Sequence, residues 1–525
     1  MTEQAVTPRE RGNTGREGEL FRAGVSFADA TSEGAPAYFR FRRLHNERVV
    51  ITNLEGRWLV LSDAEFKTFA AGEATEKGES ADLFARLKER NFLRLHTDVP
   101  AAARMLQARR NFVGAGPNLH ILVVTLRCNT TCVYCHASRA NMDAVHTDMT
   151  PEIAEKCIDM IFQTTNPSVT IEFQGGEPLV AFDIVKHVIT YARAKNETAK
   201  KELEFTMVSN LSLMDDEKLD YLVENRVQIC TSIDGPPEIH DKHRKLPKVY
   251  GASGHALASQ WIEKINKRYA EMKLDETLYH VEALVTTTRP LLSKHKELVD
   301  TYLALGCRAL FLRPLDPFGF AERTGDRIEY PREEYLEYYR NSVDYMIELN
   351  KGGAEILERY AAIFLTKILR GEDPNFLDIR QPGGAGIGQL AYNYDGKMFT
   401  CDEGRMLHEM GDDTFMLGDV FTSTYRDIVG HETVRAVVIA GQLSTQPDCV
   451  HCPYQPYCGI PPVHTHKMQG SLFGRMREST LCQVHKGIQD YLFELLGSGD
   501  QETIDVLERW TTHRPREHFI QDSPE

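Results

Sequence analysis

Six short apolar segments recur between residues 119 and 314, and amphipathic stretches with helical periodicity separate them. The first two are LHILVVTL at residues 119–126 and SVTIEFQ at residues 168–174. Parallel strands need helical crossovers of this kind, and repeated right-handed strand–helix units close or partly close into a barrel. The pattern predicts an α/β fold centred on a partial, TIM-like (β/α)6 barrel over residues 113–331, with its functional loops at the carboxyl ends of the strands.

A different pattern precedes this barrel. Residues 1–33 lack periodicity and predict a flexible leader. The segments YFRFRRL, RVVITNL and RWLVLS predict three short strands. Ser62 and Glu65 form a capping box before the first of two amphipathic helices, and FLRL at residues 92–95 predicts a closing strand. Residues 34–112 therefore predict a winged-helix-like module.

The chain after the barrel falls into three further parts. Residues 332–380 have a mainly helical pattern and predict a bridge. A glycine-rich turn at residue 381 begins a cysteine-dense region that extends to residue 495. Residues 496–525 are polar and predict a C-terminal tail.

Composition and charge narrow the class of protein. The 525 residues carry a net charge of −15, which disfavours binding to a nucleic-acid backbone. The sequence has no run of about 18 apolar residues, the length that a membrane span needs. The N-terminus has no apolar signal segment either. We expect a cytoplasmic protein that has neither a membrane nor a nucleic acid as a partner.

Three cysteines, Cys128, Cys132 and Cys135, lie within eight residues directly after the first predicted strand. Iron–sulfur clusters normally take four thiolates, so a loop that supplies three leaves one iron with an open position. Zinc is the alternative metal. Structural zinc sites take four ligands, and His136 is a candidate for the fourth.

The CxxxCxxC spacing, with the aromatic Tyr134 before the last cysteine, resembles the signature of the radical S-adenosylmethionine superfamily. The resemblance implies that the open iron chelates the amino and carboxylate groups of S-adenosylmethionine (SAM). It also implies that an electron from the [4Fe–4S] cluster cleaves SAM to a 5'-deoxyadenosyl radical, which abstracts hydrogen from the substrate.

Residues after the later strands fit the same resemblance. The segment GGEP follows the second strand, where its glycines allow close backbone approach and Glu177 can pair with an ammonium group. Simpler explanations stay open, because Ser209 and Asn210 can cap a turn and Arg244 can form a surface salt bridge. The resemblance places Ser209 and Asn210 at the ribose and Arg244 at the carboxylate of SAM. The residues that it implies for cofactor binding are Tyr134, Gly175, Gly176, Glu177, Pro178, Ser209, Asn210, Ser232 and Arg244.

The C-terminal region resembles a shortened SPASM extension, the iron–sulfur domain of radical enzymes that modify peptides and proteins. Carried over by position, Cys449, Cys452, Cys458 and Cys482 hold one auxiliary [4Fe–4S] cluster. Cys401 is left as an orphan thiol or an isolated ligand. A zinc ribbon is the alternative for the four grouped thiolates.

Asp402, next to Cys401, is the candidate catalytic residue. In sulfatase-maturing relatives an aspartate at this place takes a proton from the substrate. The alternative is a solvated carboxylate in a turn.

Residues 37–495 together resemble the B-type maturase of the His-Xaa-Ser repeat peptide systems. The resemblance implies a ribosomally made precursor peptide as substrate, bound through the N-terminal module, and a reductase, flavodoxin or ferredoxin as electron donor. Peptide would add a strand to the sheet edge of the module, whereas a DNA-binding winged helix is the alternative. Two other functions remain: a radical enzyme acting on a folded protein or small molecule, and a zinc-binding winged-helix regulator.

Overall fold

The computed structural model of the chain describes residues 31–511. They divide into two compact units, residues 31–104 and residues 105–511. The predicted flexible leader lies outside the described residues except for 31–33, as does the end of the predicted tail.

The first unit contains a three-stranded antiparallel sheet in the order β1-β2-β3, followed by helices. Its strands are β1 (Arg40–Arg43), β2 (Val49–Thr52) and β3 (Trp58–Leu61), and its helices are α1 (Asp63–Ala70), α2 (Ala81–Glu89) and α3 (Val99–Ala108), the last of which runs on into the second unit. The three predicted strands and the two predicted helices are confirmed. The capping box of Ser62 and Glu65 is also present at the start of α1.

The closing strand predicted at FLRL is absent from the described first unit, where Leu93 makes only an isolated bridge to Pro36. The next residues form a short 3-10 turn, Arg94–His96. Phe92 and Leu93 are both fully buried among the apolar side chains of this unit. The segment therefore packs in the core of this unit through its side chains, but a single bridge at Leu93 does not make a strand, which needs a ladder of backbone pairs.

The second unit is built on a nine-stranded sheet in the order β12-β10-β8-β7-β6-β4-β14-β15-β16. Its strands are β4 (Leu119–Thr125), β6 (Ser168–Gly175), β7 (Glu202–Val208), β8 (Val227–Ser232), β10 (Glu282–Thr286), β12 (Leu312–Arg313), β14 (Gln389–Tyr392), β15 (Lys397–Phe399) and β16 (Met416–Asp419). The six predicted strands are the first six of these, and neighbours among them are parallel. Two small two-stranded sheets pair β5 (Thr131–Cys132) with β9 (Arg244–Lys245) and β11 (Ala309–Leu310) with β13 (Leu357–Glu358).

The cysteine-dense region adds the last three strands to this sheet. β14 pairs in parallel with β4, and β15 and β16 continue antiparallel. The fold is therefore α/β with a mixed sheet. Six of the seven residues of β4 are buried, because this strand lies in the interior of the extended sheet.

Helices connect the strands and form the C-terminal part. They are α4 (Pro151–Ile161), α5 (Phe182–Ala199), α6 (Asp216–Glu224), α7 (Pro237–His243), α8 (Gly254–Glu271), α9 (His295–Ala304), α10 (Ala321–Ile328), α11 (Arg332–Lys351), α12 (Arg359–Leu365), α13 (Asp402–Glu409), α14 (Tyr425–Val429), α15 (Glu432–Ala440), α16 (Pro462–Gln469), α17 (Thr480–Leu496) and α18 (Gln501–Arg509). The sequence analysis does not predict α18, which buries Thr503, Val506 and Leu507. Among residues 31–511, no helix is long and apolar enough to span a membrane.

Candidate functional site

A cavity of about 270 Å³ lies where the parallel strands of the second unit end. Strand–helix units bring residues that are distant in sequence to this edge, because the carboxyl ends of parallel strands point the same way. Pro178 does not line the cavity and is buried in the turn behind it. The predicted site residues that line it are Cys128, Cys132, Cys135, Tyr134, Gly175, Gly176, Glu177, Ser209, Asn210, Ser232, Arg244 and Asp402.

The three cysteines of the loop line this cavity together. Burial raises the pKa of Cys128, and the charges of Glu177 and Cys132 add to the rise. Burial also raises the pKa of Cys132 to about 12, with Arg244 opposing and Cys135 adding to it. Grouped thiols that resist ionisation become thiolates when a cation is bound between them. This donor set fits an iron–sulfur cluster with one iron left open.

No group of three or more His, Cys, Asp or Glu side chains in the described part of the chain is arranged to chelate one metal ion. A zinc ion holds its sulfur ligands about 2.3 Å from a single point, whereas each cysteine thiolate of an iron–sulfur cluster binds a different iron, so the sulfur atoms lie farther apart.

Two glycines let the end of β6 lie directly against the cysteine loop. Gly175 has φ +146°, and a Cβ atom there would lie 2.1 Å from the carbonyl oxygen of Thr125. A Cβ atom on Gly176 would lie 2.3 Å from the carbonyl oxygens of Leu126 and Arg127. The Gly176 amide donates to the Thr125 carbonyl at 2.8 Å. Any side chain at these positions would push the loop away.

Glu177 joins three segments below the cavity. Its buried carboxylate accepts hydrogen bonds from the Leu179 amide at 3.1 Å, the Ser209 hydroxyl at 2.7 Å and the Asn210 amide at 2.8 Å. Burial raises the pKa of Glu177, and these hydrogen bonds oppose the rise. The carboxylate thus fixes the ends of β6 and β7 relative to each other.

Asn210 reaches the cysteine loop. Its side-chain amide nitrogen lies 3.2 Å from both Asn129 Oδ1 and Thr130 Oγ1 and 3.9 Å from Cys128 Sγ. Its side-chain oxygen accepts from the Ser212 amide at 2.9 Å, so local turn capping and contact with the loop occur together.

Arg244 is held inside the site and does not form a surface salt bridge. β9, which Arg244 begins, pairs with β5 of the cysteine loop, placing Arg244 opposite Cys132. Its guanidinium lies 5.3 Å from the centre of the Tyr134 ring and donates to Asp234 at 3.1 and 3.3 Å. The Tyr134 hydroxyl also donates to Asp234.

Asp234 is a site residue that the sequence analysis did not identify. Its fully buried carboxylate also accepts from the Thr286 amide at 3.3 Å. Burial by itself raises the pKa of Asp234, but Arg244 and His240 outweigh burial and hold this pKa below its ordinary value. In the sequence, Asp234 stands in the segment SIDG directly after a predicted strand. This position is a signal for a site residue, but the sequence does not reveal that Arg244 and Tyr134 are its partners.

A second cavity of about 460 Å³ shares the wall formed by Arg313, Pro314, Asp316 and Glu403 with the first. Asp402 lines only the first cavity and is paired with the buried Arg405 at 2.9 Å. Glu403, which the sequence analysis missed, lines both. Burial and the charges of Asp378 and Asp402 raise the pKa of Glu403 to about 8.

The four grouped C-terminal cysteines, Cys449, Cys452, Cys458 and Cys482, also lie together. Burial raises the pKa of Cys458, and the charges of the other three add to the rise. Cys458 Sγ lies 3.8 Å from Nδ1 of His485. Cys401 packs elsewhere, in an apolar cluster with Phe318 and Leu407 among others.

We predict that Asp234→Asn lowers the free energy of unfolding by about 3–5 kcal/mol, because it leaves the Arg244 charge buried without a counter-ion. Urea unfolding measures this change. The control is Asp216→Asn, which breaks an exposed ion pair with Lys264 and should cost at most about 1 kcal/mol. Equal losses in the two variants would show that the Asp234–Arg244 pair contributes no more than a surface pair.

Comparisons with known proteins agree with this geometry. The model of the radical SAM superfamily matches residues 122–267. An uncharacterized protein of Methanocaldococcus jannaschii is 31% identical over 233 residues, which cover 44% of this chain and 70% of the relative. The cysteine-type anaerobic sulfatase-maturating enzyme of Clostridium perfringens is 22% identical over 393 residues, 72% of this chain and 98% of that enzyme.

A solved structure has the same fold. The chain resembles Streptococcus suis SuiB bound to the precursor peptide SuiA with a TM-score of 0.51 and 13% identity, over 85% of this chain and 98% of that one. The cysteine loop, the strand-end residues around it and these similarities lead to one assignment: the chain belongs to the radical SAM superfamily and is an enzyme related to its maturases.

Proposed function

We propose that this enzyme modifies a ribosomally made precursor peptide by hydrogen abstraction. The observation that carries the proposal is the junction of two cavities, one lined by the three thiols and the other about 460 Å³ in volume. The larger cavity is of a size that receives a side chain and its neighbouring backbone. When bound, the [4Fe–4S] cluster supplies the electron that cleaves SAM to the 5'-deoxyadenosyl radical.

The chain's own residues would hold SAM between the thiols and the strand ends. Arg244, fixed by Asp234, would pair with the carboxylate, and Glu177 would receive the ammonium group. Ser209, Asn210 and Ser232 would contact the ribose. Gly175 and Gly176 would let the backbone approach the methionine part, with Pro178 ending this segment and Tyr134 orienting Arg244 from the side.

Asp402 would accept the proton that the substrate loses. It lines the cavity that contains the thiols and accepts a hydrogen bond from Arg405 at 2.9 Å. A carboxylate positioned in this way can take a proton from a bound substrate.

The flanking regions would have separate tasks. Residues 381–495 would form a SPASM-like domain in which Cys449, Cys452, Cys458 and Cys482 hold one auxiliary [4Fe–4S] cluster. The winged-helix-like module would bind the leader of the precursor, as in the His-Xaa-Ser peptide systems. A reductase, flavodoxin or ferredoxin would supply electrons.

A second candidate is maturation of a folded protein such as a sulfatase. It is favoured by the similarity to the C. perfringens enzyme, which extends over 98% of that enzyme. Mass analysis of a neighbouring precursor peptide after co-expression separates the two, because only the peptide maturase changes that peptide.

We expect the anaerobically reconstituted, reduced enzyme to convert SAM to 5'-deoxyadenosine. Cys128→Ala, Cys132→Ala and Cys135→Ala should each abolish this product, because each removes a ligand of the cluster. Chromatography with mass detection measures it. Cys157→Ala, a change at a buried thiol of α4 outside the cavity, is the control and should retain it. Wild-type turnover in any of the first three variants would refute the cluster assignment.

The first unit should bind an extended leader peptide and not DNA, because β1 and β3 are the edge strands of its three-stranded sheet and an edge strand can pair with a peptide backbone. Calorimetry of the full chain at physiological salt measures its affinity for the precursor leader and, separately, its affinity for duplex DNA. Tight DNA binding without leader binding would identify the module as a DNA-binding winged helix.

A further inference from the structure

The larger cavity has an excess of negative charge. Five carboxylates line it, against three guanidinium groups, since no lysine contributes. Two of the guanidinium groups have partners: Arg475 lies 2.6 Å from Glu478, and Arg332 lies 2.7 Å from Glu333, which does not line the cavity. The other four carboxylates that line it have no ion pair in the described residues, and two of them, Asp316 and Glu403, lie at the inner end, where this cavity meets the thiol-lined one.

Three carboxylates, Asp316, Asp378 and Glu403, meet at this inner end around the single guanidinium of Arg313. None of the three forms a salt bridge within 4.0 Å in residues 31–511. Asp402 adds no excess charge because Arg405 is its partner at 2.9 Å. Burial raises the pKa of Asp378; Arg313 opposes this rise, and the charges of Asp316 and Asp402 add to it. A cation at this position would relieve the repulsion.

A histidine on the same wall also lacks a partner. His464 lines the larger cavity, and its Nδ1, sealed from solvent, has no hydrogen-bond partner in the described residues. Burial lowers the pKa of His464, so the ring is neutral and its free nitrogen can accept a hydrogen bond. Buried polar atoms are nearly always paired, so an unpaired one on a residue that lines a cavity indicates a polar ligand. In the tautomer that carries its proton on Nε2, Nδ1 accepts a hydrogen bond from that ligand.

The remaining wall is aromatic. Tyr330, Tyr335, Tyr360 and Phe376 line the cavity. Such rings pack against an aliphatic chain and attract a cation at their faces. A side chain with an elongated apolar stem and a cationic head therefore matches the aromatic wall and the acidic inner end of the cavity.

We infer that the larger cavity is a specificity site for a basic side chain of the substrate, a lysine or arginine, whose cationic head binds among Asp316, Asp378 and Glu403. The inference rests on the proposed function, because it takes the larger cavity as the place of the substrate. The stem would lie along the aromatic wall, and His464 would accept a hydrogen bond from the substrate. A basic residue held there would place its neighbours beside the thiol-lined cavity.

Two small probes test this site on the full-length, reconstituted enzyme with SAM: N-acetyl-lysine methylamide and its norleucine counterpart. Saturation-transfer NMR or calorimetry gives both affinities. The wild type should bind the lysine amide at least about tenfold more tightly than the norleucine amide, the size of a charge-assisted contact. Equal affinities, or no binding of either probe, would overturn the site.

Substitutions at the acidic inner end test whether the preference for lysine arises there. Asp378→Asn with Glu403→Gln should reduce the preference for lysine to about twofold or less, because both changes keep the side-chain shape and remove carboxyl groups that a bound cation would hold ionised. Asp216→Asn, at an exposed carboxylate outside both cavities, should leave this preference unchanged. A preference that survives the double change would contradict the assignment. The comparison in the wild type needs no variant, so misfolding of a variant does not affect it.

The same samples separate this inference from the proposed function. If the enzyme produces 5'-deoxyadenosine but does not prefer the lysine amide, only the cavity assignment is refuted. If it prefers the lysine amide but does not cleave SAM, only the proposed radical chemistry is refuted.

Discussion

The close approach of two backbone segments governs the site. The end of β6 lies against the cysteine loop at distances that only glycine allows, since a Cβ at Gly175 or Gly176 would overlap carbonyl oxygens of the loop. The loop is held from its other side by β9, whose Arg244 is fixed in turn by the buried Asp234. The loop is thus held between the end of β6 on one side and β9 on the other, and its three thiols line one cavity.

The same arrangement determines which charges are free to act. Arg244 and Asp234 satisfy each other and give the loop a fixed cationic neighbour. Asp402 is neutralised by Arg405, whereas Glu403, the next residue, extends into both cavities without an ion pair in the described part of the chain. Two adjacent carboxylates therefore differ in environment, which suits them to different tasks. Asp402, paired with Arg405, lies beside the thiols, and Glu403 contributes to the acidic end of the larger cavity.

The sequence was sufficient for features set by local pattern. The six parallel strands were predictable because each is a short apolar run bounded by helical periodicity, and the cysteine loop because its spacing is self-contained. The addition of β14, β15 and β16 to the same sheet was not predictable, since they join it through the pairing of β14 with β4, which lies far away in sequence. The three strands are also only three or four residues long. Asp234 and Glu403 were missed for the same reason. Their roles depend on Arg244, Asp378 and Arg313, which only the folded chain brings to them.

The central claim is that the loop of Cys128, Cys132 and Cys135 leaves one iron open to SAM. Electron–nuclear double resonance on the reduced enzyme, with SAM carrying ¹⁵N at its amino group, tests this claim most directly. A hyperfine coupling between the cluster spin and the label is predicted, because the amino nitrogen would be a ligand of the open iron. Enzyme that binds labelled SAM and contains the reduced cluster but shows no coupling would contradict the account.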